Sequence, residues 1–417
     1  MHRRRLRGAL CPWRRPLRPN AVARCLVALA LLVTAGAAGS RPALPAEPAP
    51  APLTAEDAAQ VQLWRAEWPR TDFSRHRVAL DEIVSGGPPK DGIPPIDRPA
   101  FVPAAEADGW LGAEEPVLVF AQGADVRAYP LQILIWHEIV NDEVGGRPVA
   151  VTFCPLCNSA VVFDRRVQGT TLDFGTTGKL RHSDLVMWDR QTESWWQQLT
   201  GEAIVGRLAG SRLDFLPAPV VAWRTFRASH PAGRVLSRRT GFARDYGSNP
   251  YVGYDDPANR QPFLFHGAVD GRLRPMERVL ALEREGEARV YPFAALQRVG
   301  VVNERVGGLE LAIVHAPGTR SALDGRDIAA SRDVGTAVVY ERRVQGRTLT
   351  FAPIRAPTGE APAAAFMDRE TGTRWSLLGE AVQGPLRGQR LTPVPHETPF
   401  AFAWLAFHPK STIYRAP

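Results

Sequence analysis

The chain has 417 residues, of which 45% are hydrophobic and 23% are charged, and its formal net charge is +8. This length allows two domains with full cores, and the composition excludes a largely disordered chain. Eight arginines and no acid lie within residues 1–24, so the remaining chain has a formal charge of zero. The basic surface that nucleic-acid binding requires is therefore absent from the expected folded part, and we expect no nucleic-acid partner.

The N-terminus has the pattern of an export signal. Its arginines precede an apolar run at 25–33, and Ala35, Gly36 and Ala37 then fit a cleavage site. The run is shorter than the roughly 20 residues of a membrane-spanning helix, although an uncleaved anchor is the alternative. We expect a signal peptide at 1–37, no transmembrane segment in the mature chain, and a periplasmic or secreted protein.

Residues 38–53 are mostly proline and alanine, which is typical of an extended linker rather than a packed element. The folded part is expected to begin near Thr54.

An internal repeat predicts the architecture. The segment 116–146 is similar to 278–308, and further matches follow in the same order along the chain. They include Tyr129 with Tyr291, Asn141 with Asn303, and Trp196 with Trp375. We expect two tandem, diverged copies of one domain, at 54–270 and 271–417.

Each copy has the pattern of short strands separated by glycine-containing turns, so the predicted class is α+β with a strand majority. In the first copy the predicted strands are 117–120, 149–153, 160–163 and 171–174, and hairpin turns are predicted at 145–146 and 167–170. Short helices are predicted at 131–136 and 223–229.

The only thiols expected in the mature chain are Cys154 and Cys157, in a Cys-Pro-Leu-Cys run directly after the predicted strand 149–153. Both sulfurs would lie at one strand-to-loop corner, close enough to share a metal ion or a disulfide. The second copy keeps the proline, as Pro317, and lacks both cysteines. Because that copy is expected to fold without them, the pair in the first copy is predicted to be functional.

The favoured function is a copper-binding or copper-dependent redox protein of the cell envelope. Thiolate, imidazole and thioether are the ligands that copper prefers. Zinc is the alternative metal, but a closed structural zinc site needs four protein ligands and the sequence supplies one cysteine pair. We therefore predict a copper site formed by Cys154 and Cys157 with His137 and Met187, and with His182 as a further donor.

Three other functions remain open. A thiol-disulfide oxidoreductase would use one cysteine as nucleophile and the other to resolve the mixed disulfide. A cysteine-nucleophile enzyme would use catalytic Cys154 or Cys157, His137 as base, and Asp184 or Asp142 to orient the base. A non-catalytic binding or scaffold module would hold a small molecule or a protein partner, and its cysteines would form a structural disulfide.

His137 is predicted to lie beside the cysteines. It and Cys154 are each eight positions from the nearer glycine of the 145–146 turn, so an antiparallel register would place them opposite each other. A bulge or a longer loop would break this register.

The chain resembles the bacterial and archaeal family known as domain of unknown function 3179, over most of residues 91–265. The resemblance rests on Asp-Gly-Ile-Pro at 91–94, Trp-His-Glu-Ile-Val-Asn-Asp at 136–142, Cys-Pro-Leu-Cys-Asn-Ser at 154–159 and Ser-Asp-Leu-Val-Met at 183–187. His137, Cys154 and Cys157 fit the family pattern, whereas His182 replaces an expected asparagine. The resemblance implies an exported domain and no particular activity.

Overall fold

The computed structural model describes residues 54–354 and 364–417, and the predicted signal peptide and linker lie outside these ranges. The first helix begins after Thr54, as expected for the start of the folded part. The Thr54 hydroxyl accepts a hydrogen bond from the Asp57 amide at 3.1 Å. The Asp57 carboxylate accepts one from the Thr54 amide at 2.8 Å, which completes a capping box.

The helices of the described chain are short. They are α1 (Ala55–Glu67), α2 (Ala104–Ala107), α3 (Leu131–His137), α4 (Trp223–Ser229), α5 (Phe293–Val299) and α6 (Ala401–Phe407), with 3₁₀ turns at Leu80–Glu82 and Ile328–Ala330. The helices predicted at 131–136 and 223–229 are confirmed as α3 and α4. Within the described ranges, no helix has both the length and the apolar character needed to cross a bilayer.

Strands dominate, which confirms the predicted strand-rich α+β class. The first half contains β1 (Ile83–Ser85), β2 (Phe101–Pro103), β3 (Pro116–Gln122), β4 (Asp125–Pro130), β5 (Ile139–Val144), β6 (Arg147–Cys154), β7 (Ser159–Asp164), β8 (Arg166–Val167), β9 (Thr170–Thr171), β10 (Phe174–Arg181), β11 (Asp184–Asp189), β12 (Trp195–Gln197), β13 (Ala203–Val205), β14 (Phe215–Leu216), β15 (Val220–Ala222) and β16 (Arg234–Leu236).

The second half contains β17 (Val279–Arg284), β18 (Glu287–Pro292), β19 (Val301–Val306), β20 (Leu309–Ala316), β21 (Thr336–Glu341), β22 (Arg343–Val344), β23 (Arg347–Thr348), β24 (Phe351–Pro353), β25 (Phe366–Asp368), β26 (Arg374–Trp375), β27 (Ala381–Gln383) and β28 (Thr412–Ile413).

The strands of the first half form three sheets and a small hairpin. Sheet A has the order β1-β10-β11-β12-β13, sheet B the order β14-β7-β6-β5 and sheet C the order β15-β3-β4-β16-β2, while β8 pairs with β9. The second half contains β17-β18-β28, β19-β20-β21 and β24-β25-β26-β27, with a hairpin of β22 and β23. Sheets A and B carry the residues of the candidate site.

One predicted strand is wrong. Residues 171–174 do not form a single strand, because β9 ends at Thr171 and β10 begins at Phe174. The intervening backbone bonds elsewhere: the Leu172 amide donates to the Arg165 carbonyl, and the Asp173 carbonyl accepts from the Arg190 amide, both at 2.9 Å. The apolar pattern alone could not reveal this change of partner.

The central strand of sheet B lies in the main core. Along β6, residues 149–154 are all buried, so neither face of this stretch meets solvent. The first six residues of α3 are apolar except for Gln132, and five of these six are buried, which suits a helix packed on several sides. Leu405 of α6 belongs to the same cluster of buried residues. The strand end that carries Cys154 is thus surrounded by packed elements.

Gly178 lies at a register shift in β10, between Thr176 and Lys179, with φ of +69°. A Cβ atom there would lie 1.8 Å from the Pro88 carbonyl oxygen. We expect Gly178→Ala to lower the free energy of unfolding by at least about 3 kcal/mol, from left-handed backbone strain together with the clash. Urea denaturation measures this change. Gly169→Ala is the control, since φ is +81° there but no atom lies within 4 Å of the added carbon, and its loss should stay near 1 kcal/mol.

Candidate functional site

The Cys-Pro-Leu-Cys run turns the chain from β6 into β7. Cys154 is the last residue of β6 and pairs with Ser159, the first residue of β7. Asn158 has φ of +54°, and its amide donates to the Pro155 carbonyl at 3.3 Å, so the four residues between the strands form a tight corner. Cys154 is 1% exposed and Cys157 is fully buried. The predicted strand-to-loop corner is confirmed.

Asp184 is brought to this corner by another tight turn. His182 and Ser183 both have positive φ, of 52° and 66°, and they reverse the chain between β10 and β11. Asp184 is the first residue of β11 and is fully buried. The Cys157 Sγ donates to Asp184 Oδ1 at 2.8 Å. The carboxylate of Asp184, on sheet A, thus contacts the thiol of Cys157, in the turn between two strands of sheet B.

The carboxylate of Asp184 is held in place from its other side. Its Oδ2 accepts hydrogen bonds from Gln197 Nε2 at 2.6 Å and from the Leu199 amide at 2.9 Å. One ligating atom each from Cys154, Cys157 and Asp184 lies within 4.8 Å of the other two. Among the His, Cys, Asp and Glu residues of the described ranges, this is the group whose spacing allows it to hold a metal ion.

Further carboxyl groups surround this trio. Glu138 is 6% exposed and Glu397 is 5% exposed. Ser159 Oγ donates to Glu397 at 3.0 Å. The side chain of Glu138 has no hydrogen-bond partner among the described residues. The carboxyl groups of Glu138 and Glu397 both interact electrostatically with Asp184. In the described structure none of these acids forms an ion pair with lysine or arginine.

The electrostatic consequence is that these groups resist ionisation. Burial raises the pKa of both thiols. Burial raises the pKa of Asp184 to about 6 and that of Glu138 to about 8, where the charge of Asp184 adds to the effect. Burial also raises the pKa of Glu397 well above its usual range. A cation at the trio would compensate the charges that the protein itself leaves unbalanced.

His137 is not part of the group of close donor atoms, and both of its ring nitrogens have other hydrogen-bond partners. Its Nδ1 lies 2.7 Å from the Pro94 carbonyl oxygen and its Nε2 lies 2.7 Å from the Tyr246 hydroxyl, so both ring nitrogens are occupied. The predicted register of β5 against β6 is correct, since Ile139 pairs with Thr152, which is the register that would pair His137 with Cys154. However, β5 begins only at Ile139, because His137 ends α3 and Glu138 turns the chain with φ of +57°.

Neither His182 nor Asp142 belongs to the group of close donor atoms. Met187 is buried in β11 three residues from Asp184, so the alternation of a strand directs the two side chains to opposite faces. His182 Nε2 lies 3.6 Å from Glu82. Asp142 accepts hydrogen bonds from Arg127 at 2.7 Å and from the Tyr129 hydroxyl at 2.6 Å. Of the residues predicted for the site, Cys154, Cys157 and Asp184 are therefore the ones brought together.

The cysteines are free thiols, which argues against the structural disulfide considered above. Sequence reasoning also missed Glu138 and Glu397. A signal for Glu138 was present, because this acid stands beside His137 and is replaced by Gly300 in the second half. No signal marked Glu397, which is 240 residues beyond Cys157 and reaches the site only through the fold.

A long segment without helix or strand, residues 237–278, forms hydrogen bonds with residues next to the site, and we call it the strap. Its Tyr246 hydroxyl binds His137, next to Glu138. Its Tyr254 hydroxyl donates to the Leu156 carbonyl at 2.8 Å, next to Cys157. The Ser183 hydroxyl, next to Asp184, donates to the Phe263 carbonyl of the strap at 2.6 Å. Each segment that supplies a site residue is thus tied to the strap by an adjacent residue.

Residues 90–411 match the family described as "Protein of unknown function (DUF3179)". No curated protein and no solved structure matches the chain.

Proposed function

This chain belongs to the DUF3179 family, whose description states no activity, and we propose that it is a metalloprotein with its centre at Cys154, Cys157 and Asp184. The main support is the spacing of the three donor atoms, all within 4.8 Å of one another. These donors come from two sheets and from two tight turns, so their proximity depends on the whole fold. The second half of the chain carries Ala316 and Thr319 at the positions aligned with the two cysteines.

The charge of the site supports a cation. Two thiolates and one carboxylate would place up to three negative charges in a volume without a lysine or arginine partner in the described structure. Such charges are unfavourable when they are buried alone, and a divalent ion removes this cost by direct coordination. Hydrogen bonds from Gln197 and Leu199 fix the Asp184 carboxylate, as outer-sphere partners do in metal sites.

The donor set favours Zn(II) over copper. Zinc accepts both thiolate and carboxylate ligands, and sites with three protein ligands keep a fourth position for water or substrate. The copper site predicted from sequence relied on imidazole and thioether donors, but His137 is bonded elsewhere and Met187 points away from Asp184. Cu(I) bound by the two thiolates alone remains the second candidate, because it needs no hard oxygen ligand.

Thiol-disulfide exchange has less support from this geometry. Reactive cysteines are partly exposed and have a lowered pKa. Here both thiols are buried and burial raises the pKa of each. A disulfide in another protein could not reach either sulfur without displacement of the strap.

Reconstitution of the metal-free, reduced protein tests the proposal. We expect one equivalent of Zn(II), and one equivalent of Co(II) with the charge-transfer absorption of thiolate ligands. Asp184→Asn should weaken zinc binding by at least about 100-fold, since loss of even an outer-sphere partner costs 10- to 100-fold. Asp189→Asn is the matched control, because Asp189 is equally buried at the other end of β11 and bonds Trp196 rather than a thiol.

Two results separate the outcomes. Cu(I) affinity that exceeds zinc affinity and is unchanged in Asp184→Asn would favour a two-thiolate copper site. Wild-type protein that binds neither metal more tightly than a Cys154→Ser, Cys157→Ser double variant would end the metalloprotein proposal and favour a non-catalytic binding module.

We further propose that the fold arose by duplication, with copies near 54–270 and 271–417. Matching contacts support this. Tyr129 donates to Asp142 in the first half and Tyr291 donates to Glu304 in the second. The pairs Trp196 with Asp189 and Trp375 with Asp368 both have indole hydrogen bonds of 2.9 Å.

The arginine-rich N-terminal segment supports export to the periplasm or the cell exterior, where partners would be a small molecule or another envelope protein.

A further inference from the structure

Glu138 combines three unusual properties in one residue. The residue is 6% exposed, and its carboxyl oxygens, which keep some contact with solvent, have no hydrogen-bond partner among the described residues. Its backbone has φ of +57° and ψ of −30°, outside the regions that residues other than glycine prefer. Its carbonyl accepts a hydrogen bond at 2.8 Å from the amide of Phe153, the residue before Cys154, and its carboxyl lies near enough to interact with Asp184 and Cys154.

The second half provides a comparison for the backbone. Gly300 ends α5 as Glu138 ends α3, and its φ is +72°. In each case the amide donates to the helix, Glu138 to the Leu134 carbonyl and Gly300 to the Leu296 carbonyl, both at 2.7 Å. Glycine adopts this conformation without a Cβ penalty. The first half therefore retains a strained, buried acid at a turn where glycine fits better.

Backbone strain and a carboxyl without a hydrogen-bond partner in a largely buried residue both oppose folding, and such features persist where they serve a site. The trio of Cys154, Cys157 and Asp184 lacks a fourth protein ligand from the His, Cys, Asp and Glu residues described, and Glu138 is not close enough to complete it. A metal ion on three ligands would keep a position for an exchangeable ligand.

We propose that Glu138 faces the exchangeable position of this metal centre and forms a hydrogen bond with the ligand bound there, which we assign as water or the hydroxyl of a small uncharged molecule. The inference rests on the proposed metal function. A divalent ion nearby favours the carboxylate form of Glu138. A carboxylate accepts a hydrogen bond from bound water or an alcohol, and it repels an anion.

The charge around the position defines the ligand class. Two thiolates and the Asp184 carboxylate already exceed the charge of a divalent ion, and Glu138 and Glu397 add further acidic groups. Anionic ligands are therefore disfavoured. Burial limits size, because Cys154 is only 1% exposed. The site is suited to small, neutral oxygen ligands rather than phosphates, carboxylates or polymers.

The experiment uses the Co(II)-loaded full chain and two probes, azide as an anion and imidazole as a neutral ligand, both followed through the visible spectrum of cobalt. In Glu138→Gln we expect azide to bind at least about 10-fold more tightly than in wild type, because a nearby like charge is removed. Imidazole affinity should change less than about threefold. The ratio of the two affinities is the readout, since simple loosening of the site would strengthen both ligands equally.

Glu138→Gly is the second variant. Glycine is found at the equivalent turn, as Gly300, so this variant is expected to fold even if Glu138→Gln folds poorly. It should shift the azide-to-imidazole ratio in the same direction and should also raise the thermal midpoint of the metal-free protein. Glu143→Gln, an exposed acid on β5, is the control that should leave the ratio unchanged.

The outcomes separate the two proposals. An unchanged ratio in both Glu138 variants, with the thiolate absorption of cobalt intact, would overturn the role of Glu138 and leave the metal centre standing. Failure of the wild-type protein to bind Co(II) through its thiolates would remove the metal centre and this inference together.

Discussion

Zinc at 1,000 times its dissociation constant is expected to raise the free energy of unfolding of the wild-type protein by about 4 kcal/mol. The same zinc should produce almost no increase in Cys157→Ser or Asp184→Asn. The physical reason is linkage: an ion that binds only the folded chain stabilises it in proportion to the logarithm of one plus the ratio of free ion to its dissociation constant. Chemical denaturation in a zinc-buffered and in a chelator-containing solution measures both values.

The control for this prediction is Asp189→Asn. Asp189 is fully buried and accepts hydrogen bonds from Thr192 and Trp196, so its substitution should lower the stability of the metal-free protein. The increase in the free energy of unfolding that zinc produces in this variant should nevertheless equal the increase in wild type. An equal increment in Asp184→Asn would show that zinc binds elsewhere.

Glu138→Gln is expected to stabilise the metal-free protein increasingly as the pH rises. Burial raises the pKa of Glu138 from 4.5 to about 8, so the folded protein retains a proton that the unfolded chain has released. Below about pH 4.5 both states are protonated and Glu138 has no net effect. Between pH 4.5 and 8 the wild type loses stability, by as much as about 5 kcal/mol at 1.4 kcal/mol per pKa unit, and the amide variant avoids this loss.

Urea denaturation of the metal-free proteins between pH 4 and pH 9 tests this difference. The two proteins should converge at the acid end and diverge towards the alkaline end. Glu143→Gln, on the exposed side of β5, should follow the wild-type curve throughout. A constant difference between Glu138→Gln and wild type at every pH would show that packing, rather than ionisation, accounts for the effect.

Much of the fold could be predicted because it depends on local patterns. The turn at Gly145 and Gly146 set the register of β5 and β6 correctly, and the apolar runs located β3, β6 and β7. The helix after β4 was predicted from its apolar residues. The corner at Cys154 followed from a buried strand that runs directly into a proline-containing turn.

The site was only partly predictable, because its members meet through long-range packing. The partners of His137 depend on one residue: Glu138 takes a positive φ, β5 begins only after it, and the imidazole bonds Pro94 and Tyr246. No periodicity predicts that backbone angle for a glutamate. The approach of Asp184 to Cys157 depends on how sheet A meets sheet B, and that of Glu397 depends on the C-terminal segment.

The strap has a consequence for the exchange of metal between the protein and its surroundings. Since it is tied beside Glu138, Cys157 and Asp184, an ion could leave only as fast as these ties open together. Residence time would then be governed by a local unfolding rate rather than by affinity. A metal ion bound at the proposed centre would then reflect the ion supply where the chain folded, and later changes in the medium would alter it only slowly.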